Sequence, residues 1–356
     1  MKRLFTPILY LSCLFALAQT SKNSKIEKAQ TVAKRFLEKE HIPGMAISVS
    51  QHGNLIWSEG FGYTNLKTKT PVKPDETIFR IASISKTITA VTLGKLVDNG
   101  IVDLNKSVYD YLPDYPKKQY DFTVKQLGGN IAGIRHYKNN KEYALNKKMS
   151  ISEGLRLFKY DPLLWKPGTK YRYSSPAFVL LSEVMQTAAK IPFNTLVCDS
   201  IFKPLHMSHS SMEISGVLVH NLTEFHKLNI VGKPVISKQV ANEYKVAAGG
   251  FLSTSEDIVT FGNELITPQL ISEKALSKLT TSQRLDNGYK TGYGIGLSIR
   301  TSVNNTPKYY HTGGGMGSSS ILCVFPKEGI VICVLTNLSG VSMVNFGNTL
   351  EDIFLK

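Results

Sequence analysis

The sequence predicts an α+β fold: one antiparallel sheet assembled from both chain ends, flanked by N- and C-terminal helices and carrying a helical insertion. Three observations predict it. Two strand-like runs follow an amphipathic stretch near the N-terminus, four more fill the last third before a terminal amphipathic stretch, and the middle from Ile101 to Tyr244 reads as helix and loop. Strands so separated bury their apolar faces by pairing into one sheet covered by helices. The length of 356 residues and 42% hydrophobic content suit a globular protein with two lobes around one site.

The elements follow in order. Lys2-Arg3, an apolar run from Leu4 and Ala16-Leu17-Ala18 read as an export leader over residues 1–18, too short to span a bilayer. Ile26, Ala29, Val32, Ala33, Phe36 and Leu37 recur at helical spacing, and Pro43-Gly44 ends that helix. Met45–Ser50 and Leu55–Gly60 read as strands joined at His52-Gly53-Asn54. A core helix opens at Ser83 and stops at Asn99-Gly100. Turns fall at Pro113, Gly128-Gly129, Pro167-Gly168 and Pro192, and Thr254-x-x-Asp257 is a capping-box start. Strands are expected over Tyr293–Thr301, Lys308–Thr312, Ser319–Phe325 and Ile330–Leu335, then a helix with Met343, Phe346, Leu350 and Ile353 on one face. This divides the mature chain into a discontinuous sheet domain, 19–88 with 245–356, and a helical domain, 89–244.

Composition narrows the function classes. The formal charge is +15, two units of it from Lys2 and Arg3 in the leader. An excess of this kind suits a solvated basic surface, and among partners an anionic envelope surface. Nucleic acid is excluded: the lysines are scattered and no recognition motif occurs. Beyond Cys13, the cysteines Cys198, Cys323 and Cys333 are odd in number and lack metal-ligand spacing. Cys323 and Cys333 fall on neighbouring strands and could face each other, but buried free thiols are the expected state.

Ser83-Ile84-Ser85-Lys86 carries the chemistry. A serine and a lysine three apart on a helix share a face, about 4.5 Å apart along the axis. At the helix start, unpaired N–H groups favour developing negative charge, and a neighbouring neutral lysine can take the hydroxyl proton. The pattern alone is weak: Ser200-Ile201-Phe202-Lys203 repeats it, and serine is a common N-cap. Context separates them, since Ser83 leads a helix with Ile88, Val91, Leu96 and Val97, whereas Ser200 sits in a helix-to-loop passage.

A nucleophile needs a base, oxyanion donors and a clamp. Tyr173 is a candidate proton-sharing partner of Lys86. Free tyrosine and lysine titrate near ~10 and ~10.4, so each is expected to be tuned by the other's charge. Ser175 with Pro176 behind it reads as an N-cap. His311-Thr312-Gly313-Gly314-Gly315 ends a strand, where glycine allows close backbone approach and a strand-edge N–H can join that of Ser83 as an oxyanion hole. No phosphate cradle is completed, and His206 and His209 lack a third ligand, so neither cofactor nor metal is expected.

Ser83-x-x-Lys86, Tyr173-x-Ser175 and His311-Thr312-Gly313, in this order, resemble the serine β-lactamase and penicillin-binding-protein superfamily, most closely its class C-like branch. The similarity runs from about Ile42 to Leu338, through Ile42-Pro43-Gly44-Met45, Trp57-Ser58-Glu59-Gly60, Gly133-Ile134-Arg135-His136-Tyr137 and Gly249-Gly250-Phe251-Leu252-Ser253-Thr254. It implies a β-lactamase/transpeptidase-like fold and an acyl-enzyme hydrolase. Ser83 would be the nucleophile, Lys86 and Tyr173 the proton-transfer pair, and the N–H groups of Ser83 and Gly314 the oxyanion hole. The substrate would be a small peptide, ester or β-lactam-like compound.

Three departures shape the expectation. Ser175 stands where the family commonly has asparagine, and Asn130-Ile131-Ala132-Gly133 where many relatives have His-Thr-Ser-Gly. His311 replaces the lysine of antibiotic-handling members, which argues for peptidase or esterase action over a dedicated β-lactamase. Its protonation is expected to favour carboxylate substrates as pH falls. Lys290-Thr291-Gly292 spells the lysine version literally, but only His311 has two strands and a helix downstream. Peptidase action leads. Esterase action, a penicillin-recognising carboxypeptidase with slow deacylation, and a non-catalytic scaffold are the alternatives.

Overall fold

The computed structural model describes residues 24–356. The expected leader over 1–18, with Cys13, lies outside the described residues. Among the described residues no helix is long and apolar enough to cross a membrane.

Helix α1 (24–39) leads into β1 (Gly44–Gln51) and β2 (Asn54–Asn65), with the short β3 (Thr70–Pro71) at the edge. The C-terminal strands are β4 (Ser298–Thr301), β5 (Pro307–Gly315), β6 (Ser318–Phe325) and β7 (Ile330–Thr336). They join into one seven-stranded sheet in the order β3-β2-β1-β7-β6-β5-β4. The two chain ends meet at β1 and β7, antiparallel with Ala46 opposite Leu335. Both strands are covered on both faces; β7 reads as a continuous apolar run, whereas β1 alternates Ile47 and Val49 with Ser48 and Ser50.

Alternation along each strand sorts side chains between two cores. Met45, Ile47, Ile321 and Ile332 face α1 and the terminal helix α5 (Met343–Leu355), where Phe36 stacks on Phe346 at 4.1 Å. Ala46, Leu322, Val331 and Leu335 face the second core, shared with the helices of the insertion. Cys323 pairs with Ile332, and Leu322 with Cys333, so the two cysteines lie one register apart on opposite faces. Both are free thiols whose burial pushes their pKa up, Cys323 to about 12.

The insertion supplies α2 (Ser85–Asp98) and α3 (Ser175–Ala189), and α4 (Ser255–Asn263) lies under the sheet. Thr254 caps α4 by accepting from the Asp257 N–H, but Asp257 does not reciprocate. Its carboxylate instead accepts from the His209 N–H and the Ser210 hydroxyl. The middle also holds a small hairpin, His226–Leu228 with Pro234–Ile236, which the helix-and-loop reading did not contain.

The strand expected over Tyr293–Thr301 is shorter than predicted: β4 begins at Ser298. Gly296 causes the break. Its φ of +73° is a left-handed turn, and a Cβ there would lie 2.3 Å from the Lys86 carbonyl oxygen of α2. The chain therefore kinks around α2 and leaves Tyr293 facing the cleft.

Candidate active site

Ser83 sits in a single 3-10 turn, Ala82–Ile84, immediately before α2. Ala82 has φ +47°, a conformation an alanine holds only when its surroundings impose it. They do so here: the Ser320 hydroxyl of β6 donates to the Ile81 carbonyl at 2.8 Å, pinning the turn to the sheet. Gly313 permits the approach, because a Cβ there would come within 2.6 Å of the same carbonyl oxygen.

Lys86 is fully buried, and its Nζ lies 3.2 Å from both the Ser83 and Ser175 hydroxyls while donating to the Ala248 carbonyl. Burial holds its pKa well below the ordinary lysine value, and the nearby charge of Lys245 adds to this. The Tyr173 phenol neighbours the Ser83 and Ser175 hydroxyls, yet burial outweighs them and raises its pKa. The pair is thus not tuned by opposite charges, as the sequence suggested. Desolvation pushes both toward their neutral forms, a free amine beside a protonated phenol.

The cap of α3 also differs from expectation. Ser174, not Ser175, is the N-cap, accepting from the Ala177 N–H at 3.1 Å and donating to the Arg135 carbonyl. Pro176 therefore follows the first helical residue, and the Ser175 hydroxyl is released toward Lys86. Asn130 does not reach the cleft. It is buried behind it with φ +60°, its Oδ1 accepting the Ser174 N–H at 3.0 Å, so it braces α3 rather than lining the site.

The far wall is β5. Its pairing with β4 ends at Tyr310, leaving the edge from His311 to Gly315 open. The Tyr143 hydroxyl donates to the Gly314 carbonyl at 2.9 Å. In a strand a residue's N–H and C=O point the same way, so the Gly314 N–H faces this open edge too. Thr312 and Gly314 line the cleft, and Gly313 lies behind them, buried against the serine turn.

His311 is in the cleft wall, whereas Lys290 is exposed on a loop outside it. The ring is buried, with Nδ1 donating to the Thr312 carbonyl at 2.7 Å and Nε2 3.3 Å from the Tyr293 hydroxyl. Burial, then the Lys86 charge, depress its pKa to about 3. The expected gain for carboxylates through His311 protonation runs against this shift, because burial of the ring outweighs the Thr312 hydrogen bond and favours the neutral imidazole at physiological pH. The ratio of acylation rates for a carboxylate-bearing and a neutral ester is therefore expected to show no inflection near ~6.5, the ordinary histidine range. A step there that His311→Gln removes, with Lys290→Ala leaving it in place, would show that the ring does charge.

Sequence reasoning missed His136, Tyr293 and Lys245 as site residues. His136 Nδ1 accepts the Ser175 N–H at 3.1 Å, and burial lowers its pKa to about 4. Its signal was the Gly133–Tyr137 block, which spacing alone did not connect to Ser83. His136 and Tyr293 line a cleft of about 370 Å³ together with Ser83, Tyr173 and Gly314, and the Lys86 amine lies behind Ser83.

The beta-lactamase family profile matches residues 29–352. The human serine beta-lactamase-like protein LACTB, mitochondrial, is 27% identical over 89% of this chain and 77% of its own length. Among solved structures, EstCE1, described as a hydrolase with promiscuous acyltransferase activity, superposes with TM-score 0.82 at 18% identity, covering 95% of this chain and all of that one. A D-stereospecific amidohydrolase from Streptomyces sp. gives TM-score 0.77 at 21% identity, over 92% of this chain and 98% of its own. The two structures share the fold, and the profile spans nearly the whole chain, strands, serine turn and terminal helix alike. The chain belongs to the beta-lactamase family.

Proposed function

We propose that this protein is a serine hydrolase that works through an acyl-enzyme on Ser83, acting first on amide bonds of small peptides. The observation that carries the reading is the fully buried Lys86 amine between two hydroxyls, its pKa held well below the ordinary lysine value by desolvation. A neutral amine has two N–H donors and one lone pair. Ala248 and Ser175 take the donors, so the lone pair is left for the Ser83 proton.

The Ser83 oxygen then attacks the substrate carbonyl while its proton passes to Lys86. The oxyanion is met by the N–H groups of Ser83 and Gly314. Collapse breaks the bond to the leaving group, which receives a proton through the Tyr173 hydroxyl. Water, deprotonated by the same pair, releases the acid and restores Ser83. Because Lys86 must be neutral, turnover falls as pH drops through its lowered pKa.

Ester hydrolysis is the second reading, favoured by the similarity in fold to EstCE1. Export through the 1–18 leader, and association of the basic surface with an anionic envelope, complete the proposal and rest on the sequence. A fluorophosphonate probe followed by mass spectrometry tests the core of it. The adduct is expected on Ser83 and lost in Ser83→Ala with the fold intact. An adduct on Ser200, or none in wild type, would overturn the assignment.

A further inference from the structure

Beside Ser83, adjoining the cleft and sharing Tyr137, Tyr143, Ser175 and Gly314 with it, lies a recess of about 40 Å³. By this measure one water needs about 10–15 Å³, so the recess has room for a small polar group such as a carboxylate. Lys245, Asn242, Ser318 and Gly315 line it, and it opens on Ser83.

Lys245 is 6% exposed, and its amine has three donors but one acceptor within reach among the described residues, the Tyr143 carbonyl at 2.7 Å. Among the described residues no carboxylate lies within 4.0 Å of it. The nearby Glu213 is engaged by other donors. Arg80 donates to both of its oxygens, and the Asn242 amide donates to Oε2 at 2.6 Å. The cation of Arg80 is spent in the same pair, whereas that of Lys245 is not. Independently, the Ser318 hydroxyl is fully buried at the recess wall with no hydrogen-bond partner among the described residues. A buried cation and a buried hydroxyl, both short of acceptors, ask for an anion with lone pairs.

We infer that the Lys245–Ser318 recess binds a carboxylate carried on the acyl part of the substrate, so that acidic acyl donors are the preferred class. The side follows from Tyr173, which lines the cleft and not the recess. A leaving group protonated by Tyr173 occupies the cleft, and the acyl substituent turns the other way. Only this choice of side rests on the acyl-enzyme reading. The charge is present at neutral pH: burial and Arg80 lower the Lys245 pKa, Glu213 opposes them, and it comes to about 8. The facing Tyr137, Tyr143 and Tyr244 have raised pKa values and stay neutral.

The test uses the 4-nitroanilides of N-acetylglutamate and N-acetylglutamine, nearly isosteric and differing in charge, in both enantiomers. Binding is measured by ligand-observed NMR on Ser83→Ala, and turnover on wild type. The glutamate compound is expected to bind and react about tenfold or more better, and the ratio to fall as pH rises through about 8. Lys245→Met should bring the ratio near one, Lys245→Arg should keep part of it, and Ser318→Ala should reduce it. Equal binding of the two on Ser83→Ala at pH 6.5, or a ratio intact in Lys245→Met, overturns the inference. Should Lys245→Met fail to fold, the wild-type pH profile and Ser318→Ala decide the same point. Discrimination in binding with no turnover and no Ser83 adduct would sustain the recess and overturn the acyl-enzyme reading instead.

Discussion

Lys86→Ala is expected to lower kcat/KM for an acyl substrate by about 10³–10⁴-fold, the upper range of what a positioned general base contributes. The amine nitrogen lies 3.2 Å from the Ser83 hydroxyl, and among the described residues no carboxylate hydrogen-bonds that hydroxyl in its place. Tyr173→Phe should cost about 10²-fold or more by removing the proton relay to the leaving group. The two losses should be strongly non-additive, since both groups handle one proton. Single-turnover acylation rates in wild type, each single mutant and the double mutant measure this. Penalties that simply add would show two independent functions and refute the coupled pair.

Glu213→Ala should destabilise the fold by about 3–5 kcal/mol, the cost of leaving one partner of a buried ion pair alone. Arg80 and Glu213 side chains are 7% and 14% exposed, and the guanidinium also donates to the Met316 carbonyl at the end of β5. Without Glu213, Arg80 is stranded between the serine turn and a second buried cation, Lys245. Urea unfolding followed by circular dichroism reads the loss directly. The double replacement Arg80→Met with Glu213→Leu should recover most of it, because a desolvated pair costs nearly what it returns. A single mutant within about 1 kcal/mol of wild type would mean that water reaches the pair, as at a surface bridge.

Much of this architecture is local enough to read from the chain. The Ser83–Lys86 spacing, the alternation along β1, the apolar runs of β6 and β7 and the periodicity of α5 are statements about residues a few positions apart. They survive folding because helix and strand geometry repeat them faithfully. The break at Gly296 was not legible, because its cause is the Lys86 carbonyl of α2, which only folding brings near. The cap of α3 was misread by one residue for a related reason. Ser174 and Ser175 are identical in type, and what chooses between them is where Arg135 and Lys86 come to lie.

The sequence by itself determined the order of the strands' apolar faces, the pairing of Ser83 with Lys86, and the glycine-bearing strand that faces them. Tertiary structure alone decided which groups carry charge. His311 is an ordinary histidine in a list of residues, and in the folded wall burial lowers its pKa to about 3. Lys245 is one lysine among many until folding buries it beside Ser83 without a counter-ion. Ionisation follows desolvation and nearby charge, and both are sums over residues distant in the chain, so no local pattern can encode them.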